Sequence, residues 1–144
     1  MASPYDINVG ELDELTQNTP AAGAEATFTN VAFGRVRLLY LSFRFFTDAN
    51  ATNRMIRITN TRGVRTWTVG AANIQVPANN LLDCIATAGA IGQASISADH
   101  LQISMPEILL LEPGDVLTTA ILNMQVGDEI TLIHNDVLVF PIFV

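Results

Sequence analysis

From Thr27 onwards apolar and polar residues alternate with a period of two, and the 3.6-residue repeat of an amphipathic helix never sets in. In residues 35–46, Leu39, Leu41, Phe43 and Phe45 fall on one face and Ser42 and Arg44 on the other, which predicts a half-buried strand. Ile56 and Ile58 share a face with Arg57 opposed. Asn60 to Gly63 then supplies turn residues before Val64 to Val69, so a hairpin is expected. Leu101 to Met105 and Ile108 to Leu111 are apolar runs split by Pro106, and Pro113-Gly114 suits a type II turn before Asp115 to Leu122. Gly127-Asp128 leads into Glu129 to His134, and Asn135-Asp136 reads as a further turn into Val137 to Phe143. Residues 77–100 admit a helical turn, a strand and loop. Roughly seven to nine short strands at this spacing predict an all-β fold, an antiparallel β-sandwich that is jelly-roll-like, over residues 27–144. Residues 1–26 hold Pro4, Gly10, Pro20 and the stretch AAGAEA without sustained periodicity. They are expected to form an irregular N-terminal arm, separable from the body, with at most one helical turn at Glu11 to Leu15.

Composition narrows the class. A chain of 144 residues is the size of one domain, and 49% apolar residues suffice for one core. Charged residues make up 15%, against roughly 25% in typical soluble proteins, and the mean hydropathy is +0.34, so intrinsic disorder is excluded. Apolar runs such as Ile108 to Leu111 and Val137 to Phe140 fall far short of the ~20 residues that cross a bilayer, so no membrane span is expected. The start MASPYDINVG has neither a basic region nor an apolar stretch, so no secretory signal is expected.

The net charge of −7 argues against nucleic acid as a partner, but it hides a sorted distribution. All seven basic residues are arginine and lie within residues 35–65, opposed there only by Asp48. Residues 1–30 and 66–144 carry acids and no base. Arg35, Arg37, Arg44, Arg57 and Arg65 fall in strand-like segments from which a guanidinium can point outward. They form a candidate interface for self-association or for docking to an acidic surface. Solvating one sheet face, or pairing with the protein's own acids, is the alternative.

Other candidate chemistry is sparse. His100, read in a loop, and His134, read at a strand end, have no HxH, HxxH or HExxH spacing, so neither a metal centre nor a cofactor is expected. Asp48-Ala49-Asn50-Ala51-Thr52 looks like the start of a calcium loop, but Asn53 and Thr59 stand where glycine and an acid are required. An EF-hand is excluded, while a looser cation site on those oxygens stays open. There is no GxSxG motif, and a chain without lysine has no phosphate-cradling GxxxxGK, so no enzymatic activity is expected. Cys84 sits among apolar neighbours as a buried thiol. Trp67, on a face with Arg65 and Val69, is expected to point to the core. The C-terminal run VLVFPIFV, with Pro141 marking an edge, is a second interface hint.

LSFRFFTDANATNRMIRI (Leu41 to Ile58) and ISMPEILLLEPGDVLTTAILNMQVGDEITLIHNDVLVF (Ile103 to Phe140) together resemble a family of small jelly-roll virion proteins of tailed bacteriophages. The residues that carry the resemblance are Phe45-Phe46, Asp48-Ala49, Asn53-Arg54, Leu111 to Gly114 and Gly127-Asp128, within residues 28–143. It implies a non-enzymatic structural protein of the virion, assembled in the host cytoplasm: a capsid cement or decoration subunit that binds the major capsid protein or other virion proteins. It also implies a homo-oligomer, with a trimer favoured. A head–tail or tail component is the nearest alternative, and a carbohydrate- or receptor-binding β-sandwich module the next.

Overall fold

In the computed structural model, which describes residues 10–90 and 100–140, the alternating stretch becomes an 11-residue strand, β4 (Val36–Phe46). Before it come β1 (Glu11–Asp13), β2 (Thr16–Gln17) and β3 (Thr27–Thr29). After it come β5 (Arg57–Arg62), β6 (Arg65–Ala72), β7 (Leu81–Thr87), β8 (His100–Ser104), β9 (Leu110–Leu111), β10 (Val116–Thr119) and β11 (Glu129–Val139). No helix occurs among the described residues, so the fold is all-β as predicted.

The strands form one curled sheet in the order β1-β11-β4-β7-β8-β6-β5-β10-β3-β2, with β9 paired to β4. This differs from two separate antiparallel sheets. Strand β8 belongs to both halves, running parallel to β7 and antiparallel to β6. The curl wraps one core, in which Phe28, Leu41, Phe43, Phe45, Ile58, Leu101 and Ile103 are fully or almost fully buried. Each such side chain contributes about 1.5–3 kcal/mol on leaving water.

The β5–β6 hairpin turns at Gly63 and Val64, later than Asn60, with Gly63 at φ +58°. Gly114 follows Pro113 at φ +85°, as the second central position of a type II turn requires. The turn expected at Asn135-Asp136 is absent, because β11 runs through it. A bulge explains why local alternation misled there. Thr131 pairs with Arg44 and His134 with Ser42, so Leu132 and Ile133 together oppose Phe43, and Leu132 takes φ +47°. The extra residue inverts the alternation: Ile130 points inward before the bulge, Asn135 and Val137 after it. His134 is thereby placed in the middle of a strand.

Residues 11–17, expected as part of a separable arm, join the two margins of the sheet. Strand β1 pairs with β11 and β2 pairs with β3, with only Glu14 and Leu15 between them. No helical turn forms. Leu15 is buried, and the Asn135 side chain stands in for a strand partner: its Oδ1 accepts from Leu15 N at 2.6 Å, and its Nδ2 donates to Leu15 O at 3.2 Å. Gln17 Nε2 donates to Ile133 O at 2.8 Å. The segment thus covers sheet edges that would otherwise present unpaired backbone groups.

Two arginine–aspartate pairs lie at opposite ends of β5. At one end Arg54, fully buried, donates from Nε to Asp128 Oδ2 (2.9 Å) and from Nη2 to Asp128 Oδ1 (2.8 Å) and Asp48 Oδ1 (2.6 Å). Its Nη1 donates to the carbonyls of Asn50 (2.8 Å) and Thr52. All five guanidinium donors are therefore used. Oxygens of the calcium-like segment are occupied by an internal cation, which removes the candidate cation site. Gly127 is required here, since a Cβ would lie 2.6 Å from Asp48 Oδ2. At the other end Asp115 accepts from Arg62 Nε (2.9 Å) and Nη2 (2.8 Å), from Asn60 Nδ2 (3.1 Å) and from Glu112 N (3.0 Å).

Arg54→Met is expected to lose about 3–5 kcal/mol in urea unfolding, because it strands the buried Asp128 carboxylate, and the double variant Arg54→Met/Asp128→Leu to recover part of that loss. A single-variant loss under 1 kcal/mol would remove the network from the stability account. Asn135→Ala is expected to cost about 1–3 kcal/mol and to speed proteolytic cleavage within residues 11–17, since it leaves the Leu15 amide unpaired.

Candidate functional site

A polar band crosses the outer face of the half-sheet β11-β4-β7-β8. Tyr40, Ser42, Arg44 and Phe46, in the second half of β4, share the outward phase, and the registers align Ser42 and Arg44 with neighbours in two transverse rows. Thr131, Arg44, Asp83 and His100 form one; His134, Ser42, Ile85 and Gln102 form the other. Directly opposed side chains in such rows stand roughly 4.5–5.5 Å apart at Cβ. The rows floor two adjoining depressions that share Asp83 and His100. One, of about 270 Å³, is lined by Arg44, Leu81, Asp83 and His100. The other, of about 220 Å³, is lined by Tyr40, Ser42, Phe43, Asp83, Ile85, His100, Leu132 and His134.

Both histidines of the chain therefore meet at one place, though they are 34 positions apart in sequence. His100 opens β8 and does not lie in a loop, and the bulge turns His134 outward. Asp83 is engaged by Arg44, whose Nε donates to Oδ1 at 3.0 Å and Nη2 to Oδ2 at 3.4 Å, while the Tyr40 hydroxyl donates to Ser42 Oγ at 2.6 Å. The Arg44 hydrogen bonds, with the Arg44 charge and that of His100, outweigh partial burial and hold the Asp83 carboxyl below the usual range. Among the described residues no group of three His, Cys, Asp or Glu side chains could hold a metal ion. Burial, and then Asp83, push the Cys84 thiol up, as befits a thiol enclosed in the core.

The candidate interface arginines do not gather on one face. Arg44 belongs to the polar band. Arg35 Nε donates to Glu112 Oε1 at 2.7 Å, and Arg37 Nη2 reaches Glu107 O at 3.4 Å. Arg57 and Arg65 lie on β5 and β6 in the other half; Arg57 Nε is buried with no hydrogen-bond partner among the described residues, and Arg65 is exposed. Much of the arginine band thus pairs with the protein's own acids. Trp67 is 39% exposed, with the Arg62 guanidinium 5.4 Å from its ring centroid, so it is not a core residue. Sequence reasoning passed over Tyr40, Ser42 and Asp83, and the only signal was the outward phase of Ser42 and Arg44. Comparison of the chain with protein families, with curated proteins and with solved structures finds no match.

The carboxylates set the response to acid. Burial raises Asp128, but hydrogen bonds from Arg54 and from the amides of Gln125 and Asp48 outweigh it and hold the group low. Asp115 is held low chiefly by Arg62. Glu25 goes the other way: burial raises it, against hydrogen bonds from the Thr119 hydroxyl and the Ile121 amide. A depressed folded pKa stabilises above the unfolded value of about 3.9 and is lost as pH falls through the folded value. A raised one costs stability above the unfolded value of about 4.3. Lowering pH from neutral is therefore expected to produce a shallow rise in stability as Glu25 takes a proton, then a steep loss below about pH 4. In pH-resolved urea titrations, Glu25→Gln is expected to abolish the rise and keep the loss.

Proposed function

We propose that the protein is a non-enzymatic structural component of a tailed-phage virion, a capsid cement or decoration subunit that works by surface contact with capsid proteins and with copies of itself, as a trimer. The observation that carries this reading is the apolar character of the loop tips. Val31 is 69% exposed, Phe33 96%, Val64 101% and Val126 90%. Val31 and Phe33 follow β3 and Val64 joins β5 to β6, at the end of the sheet where Asp115 binds Arg62. Val126 lies at the opposite end, beside Asp128. Apolar tips at both ends suit a part that bridges neighbours, and each would contribute about 1.5–3 kcal/mol if buried against one. Repetition over many copies adds avidity.

The resemblance to jelly-roll virion proteins supports the same reading in a more limited way. Asp48, Arg54 and Asp128 build the buried network, and Glu112 to Gly114 the turn before β10, so these matches speak first for local loop structure. A head–tail or tail position would use the same contacts.

Sedimentation of the purified chain, alone and with assembled tailed-phage heads or tails, tests this. The expected result is a homo-oligomer that pellets with particles, and a Phe33→Ser/Val64→Ser variant that folds but pellets at least tenfold less. A monomer that stays in the supernatant at micromolar concentration with both heads and tails would overturn it.

A further inference from the structure

We propose that the polar band on the outer face of β11-β4-β7-β8 binds a neutral polyhydroxylated ligand, a mono- or disaccharide. This inference does not depend on the virion reading. The charge at the site selects the ligand class. Arg44 and Asp83 neutralise one another through two hydrogen bonds, so the band offers dense hydrogen-bonding groups without a net charge from that pair. A phosphate or carboxylate would meet an Arg44 charge already balanced by Asp83. A metal ion lacks a third ligand among the described residues.

What remains suits hydroxyl groups. Asp83 supplies acceptor oxygens, the exposed rings of His100 and His134 add hydrogen-bonding nitrogens, and the Tyr40–Ser42 pair supplies donors and acceptors. Because these groups stand in cross-strand rows, their spacing is set by the sheet and needs no ordering when a ligand arrives. Apolar surface flanks them: Leu81 is 54% exposed, Leu132 58% and Phe46 41%. Phe46 lies opposite Leu81 across β4 and β7, on the same outward face as Arg44. An apolar border with few convergent polar groups is the usual make-up of a small-molecule site.

The bulge gives independent support. Leu132 lines the depression at φ +47°, a left-handed conformation that is unfavourable for an L-residue with a bulky side chain. The same bulge turns His134 out toward the band. Strain of this kind concentrates at sites where a side chain has to be re-aimed.

Two histidines allow a direct test, because each contributes one ring C2–H signal to the NMR spectrum of the full chain. Titration with a panel of neutral mono- and disaccharides at millimolar concentration is expected to move both signals saturably for at least one sugar. Asp83→Asn, with an unchanged amide spectrum, is expected to weaken that binding at least tenfold. Leu132→Gly, which relaxes the backbone and removes the apolar border, is expected to weaken it less. Absence of saturable shifts across the panel would overturn the proposal. So would shifts that persist undiminished in Asp83→Asn, or saturation by inorganic phosphate or zinc in place of the sugars. None of these outcomes bears on whether the chain sediments with particles, so the two readings stand or fall separately.

Discussion

A single buried guanidinium organises one end of this sheet. Arg54 is the largest fully buried side chain, and its charge is tolerable only because all five of its donors meet oxygens from two separate stretches, residues 48–52 and Asp128. The dependence is mutual. Asp128 also accepts from the amides of Asp48 and Gln125, and Asp48 from those of Asn50 and Gly127, so both loops take their shape around the ion pair. An uncompensated charge there would cost more than the burial of any one aliphatic core residue contributes. The hydrophobic core supplies most of the driving force, but it is indifferent to loop conformation, whereas the arginine is not.

The rest of the architecture follows from how the sheet disposes of its edges. A long curled sheet leaves two margins of unpaired backbone, and here one short segment serves both, pairing with β11 through β1 and with β3 through β2. The join depends on Asn135 facing inward, which depends on the bulge at Leu132 and Ile133. The same inversion turns His134 outward. One extra residue in β11 thus serves the closure of the fold on one side of the strand and the polar band on the other.

The two proposals place function on two kinds of surface. The ends of the sheet expose apolar tips on loops held firm by arginine–aspartate pairs, a combination suited to contact with other proteins. The flank exposes a shallow hydrogen-bonding band with apolar borders, suited to a small polar ligand. Pairing of Arg35, Arg44, Arg54 and Arg62 with the protein's own acids brings much of the sorted charge together within the molecule.

Alternation along residues 36–46, 56–69 and 101–122, with turn residues between, determined by itself that the chain is all-β, and Cys84 among apolar neighbours was legible as a buried thiol. Arg54 was indistinguishable in sequence from the other arginines, because burial depends on Asp128, 74 positions away. The band of Arg44, Asp83, His100 and His134 was likewise out of reach, since it rests on a parallel register between β7 and β8 and on the bulge in β11. Strand periodicity is a local property of the chain, whereas register, bulges and edge closure are settled by pairing between distant segments. One residue of slip exchanges the two faces, so only the tertiary structure decided which side chains meet.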